Sequence, residues 1–214
     1  MLAPGVASAA SRPVVLELFT SEGCSSCPPA DAYLSSLAGR ADVLPLAFHV
    51  TYWNSLGWRD PYSSDTATSR QAMYAARLGG GSYTPEMVVD GRRGMVGSER
   101  DEVASAIAAA RGEAADPVPI RIERTGSSLS VVLGGGHGRG RVMLIGFDPR
   151  HETHVGRGEN SGRTLVESNI VRSLRTIGEY SGAPAQLPAQ RGAGEDAAVV
   201  IQGYDGRILG AARL

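Results

Sequence analysis

A pair of closely spaced cysteines stands between a strand pattern and a helix pattern. Residues 14–19 (VVLELF) form an apolar run typical of a buried strand, and residues 30–37 follow with a helical pattern. Cys24 and Cys27 lie between the two and are the only cysteines in the 214 residues. A C-x-x-C motif in this position indicates redox chemistry. Because a helix N-terminus stabilises an anion, we expect the Cys24 thiolate to be favoured there.

The first half of the chain alternates strand and helix patterns. Strand patterns cover residues 14–19, 43–50, 86–90 and 94–97, and helix patterns cover residues 30–37, 64–78 and 98–111. The dipeptide Asp90-Gly91 predicts a tight hairpin turn between the last two strands. The order β-α-β-α-β-β-α predicts an α/β domain.

The pattern changes near residues 114–119 (AADPVP), and short strand patterns separated by glycine-rich turns follow. They cover residues 120–124, 129–133, 141–147, 170–180, 198–202 and 207–211. A helix within residues 164–180 is the alternative for the least regular of them. Several short strands with turn signals predict an antiparallel, sandwich-like domain. We therefore divide the chain into a leader at 1–12, an α/β domain at 13–114 and a β-rich C-terminal domain at 117–214.

The charge balance and hydropathy exclude several classes of partner. The net charge is −1, which predicts no nucleic-acid partner. No apolar run approaches the ~20 residues of a membrane helix, so no membrane-spanning segment is expected. Ala7-Ser8-Ala9 resembles the end of a signal peptide, although the charged and long apolar regions before it are missing. We expect a periplasmic or secreted protein; a disordered leader on a cytoplasmic protein is the alternative.

The C-x-x-C motif supports a specific mechanism. Cys24, on the loop side, is expected to be exposed and to attack a disulfide, and Cys27, inside the first helical turn, is expected to resolve the mixed disulfide. The structural alternative is weak, because closing so short a ring stabilises the fold by only roughly 2 kcal/mol. A metal site is the other alternative, with a soft ion such as Cu(I) held by both cysteines, either alone or together with His49.

The dipeptide Thr84-Pro85 enters the strand pattern at 86–90. The whole order, with C-x-x-C at the first helix and Thr-Pro before a hairpin, resembles the thioredoxin-like superfamily. The resemblance implies that Pro85 is a cis-proline facing the cysteines and that Thr84 contacts the substrate. An ordinary trans proline at a strand entrance is the alternative, since only about 5–6% of X-Pro bonds are cis.

Three longer stretches narrow the resemblance. They read VVLELFTSEGCSSCPPAD, HVTYWNSLGWRDPYS and GRGENSGRTL. They are similar to a family of uncharacterised, mostly exported bacterial proteins, a domain of unknown function with a thioredoxin-like part and an appended C-terminal segment. The similarity covers residues 13–214. It implies a fold and a thiol–disulfide chemistry without naming a substrate.

Five further residues are candidates for the site. Glu17, in the first strand, is a candidate buried proton acceptor, although its offset from Cys24 differs by one residue from the thioredoxin pattern. Tyr52, Trp53 and Trp58 follow the second strand and could wall a substrate groove; packing of their own loop is the alternative. His49 could raise the thiolate fraction or bind a metal; a hydrogen-bonded core histidine is the alternative.

Two polar segments in the second half have open roles. Residues 157–163 (RGENSGR) could gate the redox face or form an inter-domain salt-bridge loop. His151 and His154 are expected to be surface residues in a loop, because Asp148-Pro149 precedes them.

We predict a thiol–disulfide oxidoreductase acting on protein or small-molecule disulfides. A partner dithiol supplies the electrons and no organic cofactor is needed. The alternatives are a soft-metal module built on the same cysteines and a redox-inactive binding domain that uses a groove at Trp53 and Trp58. The same C-x-x-C motif serves oxidants, reductants and isomerases, so the direction of exchange is left open.

Overall fold

The computed structural model describes residues 12–113 and 116–214, so the predicted leader lies outside the described residues except for Arg12. Within that part of the chain the helices are α1 (Pro28–Leu37), α2 (Asp65–Leu78) and α3 (Arg100–Glu113). The strands of the first half are β1 (Val14–Thr20), β2 (Val43–His49), β3 (Glu86–Val89) and β4 (Arg93–Val96). The strands of the second half are β5 (Ile120–Thr125), β6 (Ser128–Leu133), β7 (Gly140–His154), β8 (Thr164–Tyr180), β9 (Ala185–Gln190), β10 (Asp196–Gly203) and β11 (Ile208–Arg213). None of the helices in the described ranges is long and apolar enough to cross a membrane.

The fold is mixed α/β, with one large sheet and one small sheet. The large sheet has eight strands in the order β11-β10-β7-β8-β2-β1-β3-β4, and the small antiparallel sheet has the order β5-β6-β9. Strand β1 is parallel to β2 and antiparallel to β3. Strands from both halves of the chain therefore belong to one hydrogen-bonded sheet, while the division into two domains stays a prediction.

The two halves meet between β2 and β8, which are joined by the single bridging pair Ala47–Ile170. Pro45 of β2 has no N–H to donate to a neighbouring strand. Asn169 of β8 compensates in part, because its side-chain amide donates to the Pro45 carbonyl at 2.8 Å. Asn169 itself has a φ of 53°, a left-handed conformation that interrupts regular pairing. At this junction a side-chain hydrogen bond thus takes the place of some of the backbone hydrogen bonds between the strands.

The large sheet is covered on both faces. On one face, Leu16 and Leu18 of β1 pack with the inward sides of α1 and α3. On the other face, Val15 and Phe19 pack with Tyr74 of α2 and with apolar residues of β7 and β10. Successive side chains of a strand point to opposite faces of the sheet. Whether a residue of β1 has an odd or an even number therefore decides which face it lies on.

The small sheet covers the outer strands of the large one. Leu129, Val131 and Leu133 of β6 pack against a buried set from β7 and β10 that includes Leu144 and Val199. The small sheet is antiparallel, as are the outer strands of the large sheet that it covers, while the sandwich-like domain stays a prediction. Strand β9 has no counterpart among the predicted strands.

The structure corrects three expectations about the β7–β8 region. Residues 141–147 and 170–180 are only the inner parts of β7 and β8, which pair from Gly140–Tyr180 out to His154–Thr164. The helix alternative within residues 164–180 fails because that segment pairs with β7 along its length. His151 and His154 lie in the strand, not in a loop, because β7 continues through Pro149, which has no partner in the pairing register. This long hairpin carries residues 157–163 to the cysteines.

Candidate functional site

The two cysteines lie where β1 turns into α1. The turn closes with hydrogen bonds from the Cys24 N–H to the Ser21 carbonyl at 3.1 Å and from the Cys27 N–H to the Cys24 carbonyl at 3.3 Å. Helix α1 begins at Pro28, with Cys27 as its N-cap, so Cys27 stands one residue before the first turn predicted for it. Proline suits this place, since the first N–H groups of a helix have no partner within it.

Cys24 and Cys27 form a disulfide, with 5.4 Å between their Cα atoms. Both residues are 0% exposed, whereas Ser25 and Ser26 between them are exposed. The expected exposure of Cys24 is therefore wrong for this state. Side chains from three distant segments bond to Cys24 or to residues next to it.

The first of these segments is the one around Thr84. The Thr84–Pro85 peptide bond is cis, which confirms the predicted isomer. The Thr84 hydroxyl donates to Cys24 Sγ at 3.3 Å, and the Ser26 hydroxyl lies 3.3 Å from the same sulfur. Two hydroxyl groups thus contact the atom that carries negative charge when Cys24 is a thiolate.

The second segment is the aromatic loop after β2. The indole N–H of Trp53 donates to Thr84 Oγ1 at 2.8 Å, and that of Trp58 donates to Glu22 Oε2 at 2.7 Å. The Tyr52 hydroxyl donates to Gln71 Oε1 at 3.2 Å. Both tryptophans therefore bond to residues that flank the disulfide. Their use as a substrate groove stays a prediction.

The third segment is the tip of the β7–β8 hairpin. Asn160 is fully buried, and its amide donates to the carbonyl groups of Glu22 and Cys24, each at 2.9 Å. Glu159 Oε2 accepts the N–H of Ser25 at 3.1 Å, and hydrogen bonds from Ser25 hold the pKa of Glu159 below its usual range. The hairpin tip meets the C-x-x-C turn through these hydrogen bonds rather than through salt bridges.

A buried ionisable cluster lies beside the turn. His49 Nδ1 is 2.7 Å from Asp60 Oδ2, and the same oxygen accepts the Glu22 N–H at 2.9 Å. His49 Nε2 lies 3.7 Å from Glu167 Oε1, too far for a good hydrogen bond. Asp31, on α1, accepts a hydrogen bond from the Thr20 hydroxyl at 2.7 Å. We call Glu22, Asp31, His49, Asp60 and Glu167 the acid cluster.

Burial shifts the protonation of the acid cluster. Loss of solvation raises the pKa of Asp31 to about 7 and that of Glu167 to about 8, although the charge of His49 opposes both. Burial also raises the pKa of Glu22. Burial by itself would lower the pKa of His49, but the Asp60 and Glu167 carboxylates raise it to about 10. The cluster therefore holds a protonated histidine beside two carboxyl groups, Asp31 and Glu167, that titrate near neutral pH. Burial by itself would raise the pKa of Asp60, but the charge and hydrogen bond of His49 instead hold it below its usual range.

Three polar atoms of the acid cluster have no hydrogen-bond partner within residues 12–113 and 116–214: Glu22 Oε1, His49 Nε2 and Glu167 Oε1. Buried polar atoms are rarely left in this state. Such groups beside a disulfide are typical of a site where protons move.

Glu17 belongs to a different network. It projects from the opposite face of β1, where both of its oxygens bond to Arg70 and one accepts from the Tyr74 hydroxyl at 2.6 Å. Asp31, which the sequence reasoning missed, lies in the helix that begins at the cysteines. Its signal was its position four residues after Cys27, the spacing that places two side chains on one face of a helix.

The described residues contain no group of three or more His, Cys, Asp or Glu side chains arranged to hold a metal ion. In the disulfide form neither cysteine carries the thiolate that a soft metal prefers. The residues of the alternative site, Cys24, Cys27 and His49, are accordingly used in other bonds: the cysteines with each other and His49 with Asp60.

The fold and the site define a mixed α/β protein with a buried C-x-x-C disulfide at a helix start, a cis-proline and an acidic cluster. The chain belongs to the DUF1223 family of proteins of unknown function, whose model matches residues 15–202. It is similar to a crystal structure of an Agrobacterium tumefaciens protein, with a TM-score of 0.83 and 30% identity over 97% of this chain and 96% of that one.

A second solved structure shares only the fold. HBP35 of Porphyromonas gingivalis matches with a TM-score of 0.64 and 12% identity, over 95% of this chain and 75% of that one. No match was found among curated proteins. The comparisons establish the family and the architecture. They do not identify a reaction, which has to be inferred from the residues of the site.

Proposed function

We propose that the protein is a thiol–disulfide oxidoreductase with a thioredoxin-like first half. The observation that carries the proposal is the Cys24–Cys27 disulfide at the start of α1, with hydroxyl groups of Thr84 and Ser26 on the Cys24 sulfur. A helix N-terminus and hydrogen-bond donors both favour a thiolate over a thiol.

The arrangement of the first half supports the thioredoxin-like part of the proposal. The strands order as β2-β1-β3-β4, with β1 and β2 parallel and β3 and β4 antiparallel to their neighbours. Helices α1 and α3 cover one face and α2 packs on the other. Together with the cis Thr84–Pro85 bond, this arrangement supports the thioredoxin-like part of the proposal.

The proposed reaction passes two electrons from the Cys24–Cys27 dithiol to a substrate disulfide. In the reduced protein, the Cys24 thiolate attacks a sulfur of the substrate disulfide and releases one substrate thiolate. The Cys27 thiolate then attacks Cys24 Sγ, which releases the second substrate thiolate and regenerates the protein disulfide. Two protons end on the substrate thiols. A partner dithiol returns the electrons by the same exchange in reverse.

The substrate must reach a sulfur that is buried in the oxidised state. The exposed Ser25 and Ser26 lie between the two cysteines, and the hairpin tip with Glu159 and Asn160 bonds to the same turn. We propose that movement of this tip uncovers Cys24. The likeness to an exported family and the disulfide itself support a periplasmic or secreted location, where disulfides persist.

The test uses the full chain in glutathione buffers, with the oxidised fraction measured by thiol alkylation and mass spectrometry. We expect a reversible two-electron midpoint, turnover of a small disulfide, and a Cys24 pKa below the ~8.5 of a free cysteine. Cys24→Ser should abolish turnover, and Cys27→Ser should accumulate the mixed disulfide on Cys24.

The outcome that overturns the proposal is turnover by Cys24→Ser equal to that of the wild type, or no reversible disulfide. Stoichiometric metal retained by the reduced protein after dialysis would then support the soft-metal module. Peptide binding that survives Cys24→Ser would instead support the redox-inactive binding domain.

A further inference from the structure

A chain of two hydrogen bonds leads from Trp53 to the redox sulfur. The Trp53 indole N–H donates to Thr84 Oγ1 at 2.8 Å, and the Thr84 hydroxyl donates to Cys24 Sγ at 3.3 Å. Trp53 follows β2, Thr84 precedes β3, and Cys24 follows β1, so the chain links three segments that are distant in sequence.

The direction of this chain follows from the chemistry of the groups. An indole N–H is a donor only, whereas a threonine hydroxyl has one hydrogen and two acceptor lone pairs. Because Trp53 occupies a lone pair of Thr84, the hydroxyl hydrogen stays free to point at Cys24. Without the indole, the Thr84 hydroxyl could rotate and present a lone pair to the sulfur instead.

The position of Trp53 makes this constraint effective. Trp53 is half-buried. Its Cβ lies so close to Gly23 that a Cβ atom at position 23 would come within 3.2 Å of it. The indole is therefore held by packing as well as by its hydrogen bond. Hydrogen bonds in a partly buried environment also polarise one another, which strengthens the second bond of the chain.

We propose that Trp53 is a positioning residue that fixes the Thr84 hydroxyl as a hydrogen-bond donor to the Cys24 thiolate. Through this contact it sets the acidity of the nucleophile and the equilibrium between disulfide and dithiol. The proposal rests on the proposed redox function and deepens it. It also assigns Trp53 a role other than the wall of a substrate groove.

Other titratable groups lie in the segments around Cys24. Glu159 bonds to the next residue along the chain, Glu22 lies two residues before it, and Asp31 and His49 lie in the acid cluster. Tyr52 interacts with Thr84 from the aromatic loop. The test therefore compares variants that leave all of these groups in place.

The experiment is a double-mutant cycle on the full reduced chain, with Trp53→Phe, Thr84→Val and the double variant. Trp53→Phe keeps an aromatic ring and removes the N–H, and Thr84→Val keeps the shape and removes the hydroxyl. The readouts are the Cys24 pKa from thiolate absorbance and the glutathione equilibrium constant. We expect each single variant to raise the pKa by roughly half a unit to one unit. The double variant should equal Thr84→Val, because Trp53 acts through Thr84.

Trp58→Phe is the matched control, since its indole N–H bonds to Glu22 and not to Thr84. Any effect of Trp58→Phe should add to that of Thr84→Val. Thr84→Ser keeps the hydroxyl, so its Cys24 pKa should stay close to that of the wild type. Circular dichroism checks that each variant is folded.

An unchanged Cys24 pKa in Trp53→Phe, or effects of Trp53→Phe and Thr84→Val that simply add, overturns the proposal. Failure of the redox function is a separate result. A wild-type protein without turnover or a reversible midpoint still has a measurable Cys24 pKa after chemical reduction, so the two failures are distinguishable.

Discussion

Two buried polar networks lie on opposite faces of β1, and they differ in how completely their polar atoms are hydrogen-bonded. On the α2 face, Glu17 pairs with Arg70 and Tyr74, and Arg70 also donates to Gln202 of β10 at 3.2 Å. No buried side-chain atom of these residues lacks a partner within the described ranges. On the α1 face, the acid cluster holds four carboxyl groups around a single histidine and has three unpartnered atoms.

We infer from this difference that the Glu17 network stabilises the fold and that the acid cluster belongs to the proposed redox site. Each network joins the first half of the chain to the second, through Gln202 in one and Glu167 in the other. A satisfied ion pair specifies how the layers fit together. An unsatisfied cluster beside a disulfide is costly to bury, and such cost concentrates at functional sites.

The largest expected effect concerns the satisfied network. Arg70→Met removes the cation and leaves Glu17 buried without its partner, so the free energy of unfolding should fall by about 3–5 kcal/mol. Urea denaturation of the oxidised protein measures the change. Arg40→Met, at the exposed pair with Asp42, is the control and should cost less than about 1 kcal/mol. A loss as small as that of the control would contradict a structural role for Arg70.

The next effect is the pH dependence of stability from the acid cluster. Asp31, Glu167 and His49 have raised pKa values in the folded chain, so the folded state binds more protons than the unfolded state. The free energy of unfolding should therefore fall as pH rises: through about 7 for Asp31, about 8 for Glu167 and about 10 for His49. The total change should be on the order of a few kcal/mol.

Two substitutions check the source of that slope. Asp31→Asn should flatten the fall between pH 5 and pH 7, since an amide of the same shape does not titrate, as thermal unfolding at a series of pH values would show. Asp101→Asn, at an exposed position, should leave the slope unchanged. A slope that Asp31→Asn does not alter would show that the pH dependence comes from elsewhere.

A smaller effect is expected at the hairpin tip. Asn160→Ala leaves the carbonyl groups of Glu22 and Cys24 without their donor and should destabilise the fold by about 1–3 kcal/mol. It should also speed the reduction of the disulfide by a small thiol, measured by stopped-flow fluorescence. Ser161→Ala, at the exposed neighbour, should leave stability within about 0.5 kcal/mol. Unchanged reduction kinetics in a destabilised Asn160→Ala would argue against the tip as a cover.

The smallest expected effect concerns the charge at the hairpin tip. Glu159→Gln removes a carboxylate beside the C-x-x-C turn, so the pKa of Cys24 in the reduced protein should fall by roughly a few tenths of a unit. The difference from the wild type should shrink in 1 M salt, because exposed charges are screened. Thiolate absorbance against pH measures both. A fall that persists in high salt would point to the Ser25 hydrogen bond rather than to the charge.

Local patterns in the chain predicted the elements around the site. The apolar run of β1, the prolines after Cys27 and the turn at Asp90-Gly91 depend on neighbours in the chain, so their patterns predicted the strand, the helix start and the hairpin. The cis Thr84–Pro85 bond was also predicted, from the resemblance to a known fold.

Which side chains meet at the site depends on tertiary contacts that no local pattern predicts. Glu17 and Asp31 are both carboxylates near the cysteines in sequence, and the odd or even position along β1 places Glu17 on the far face. Asn160 lies 136 residues from Cys24, and no local pattern marks it as a partner of that turn. The long β7–β8 hairpin brings it there because both strands pair over their whole length. Periodicity reports on neighbours in the chain, whereas the contacts that enclose the disulfide depend on how distant strands order within one sheet.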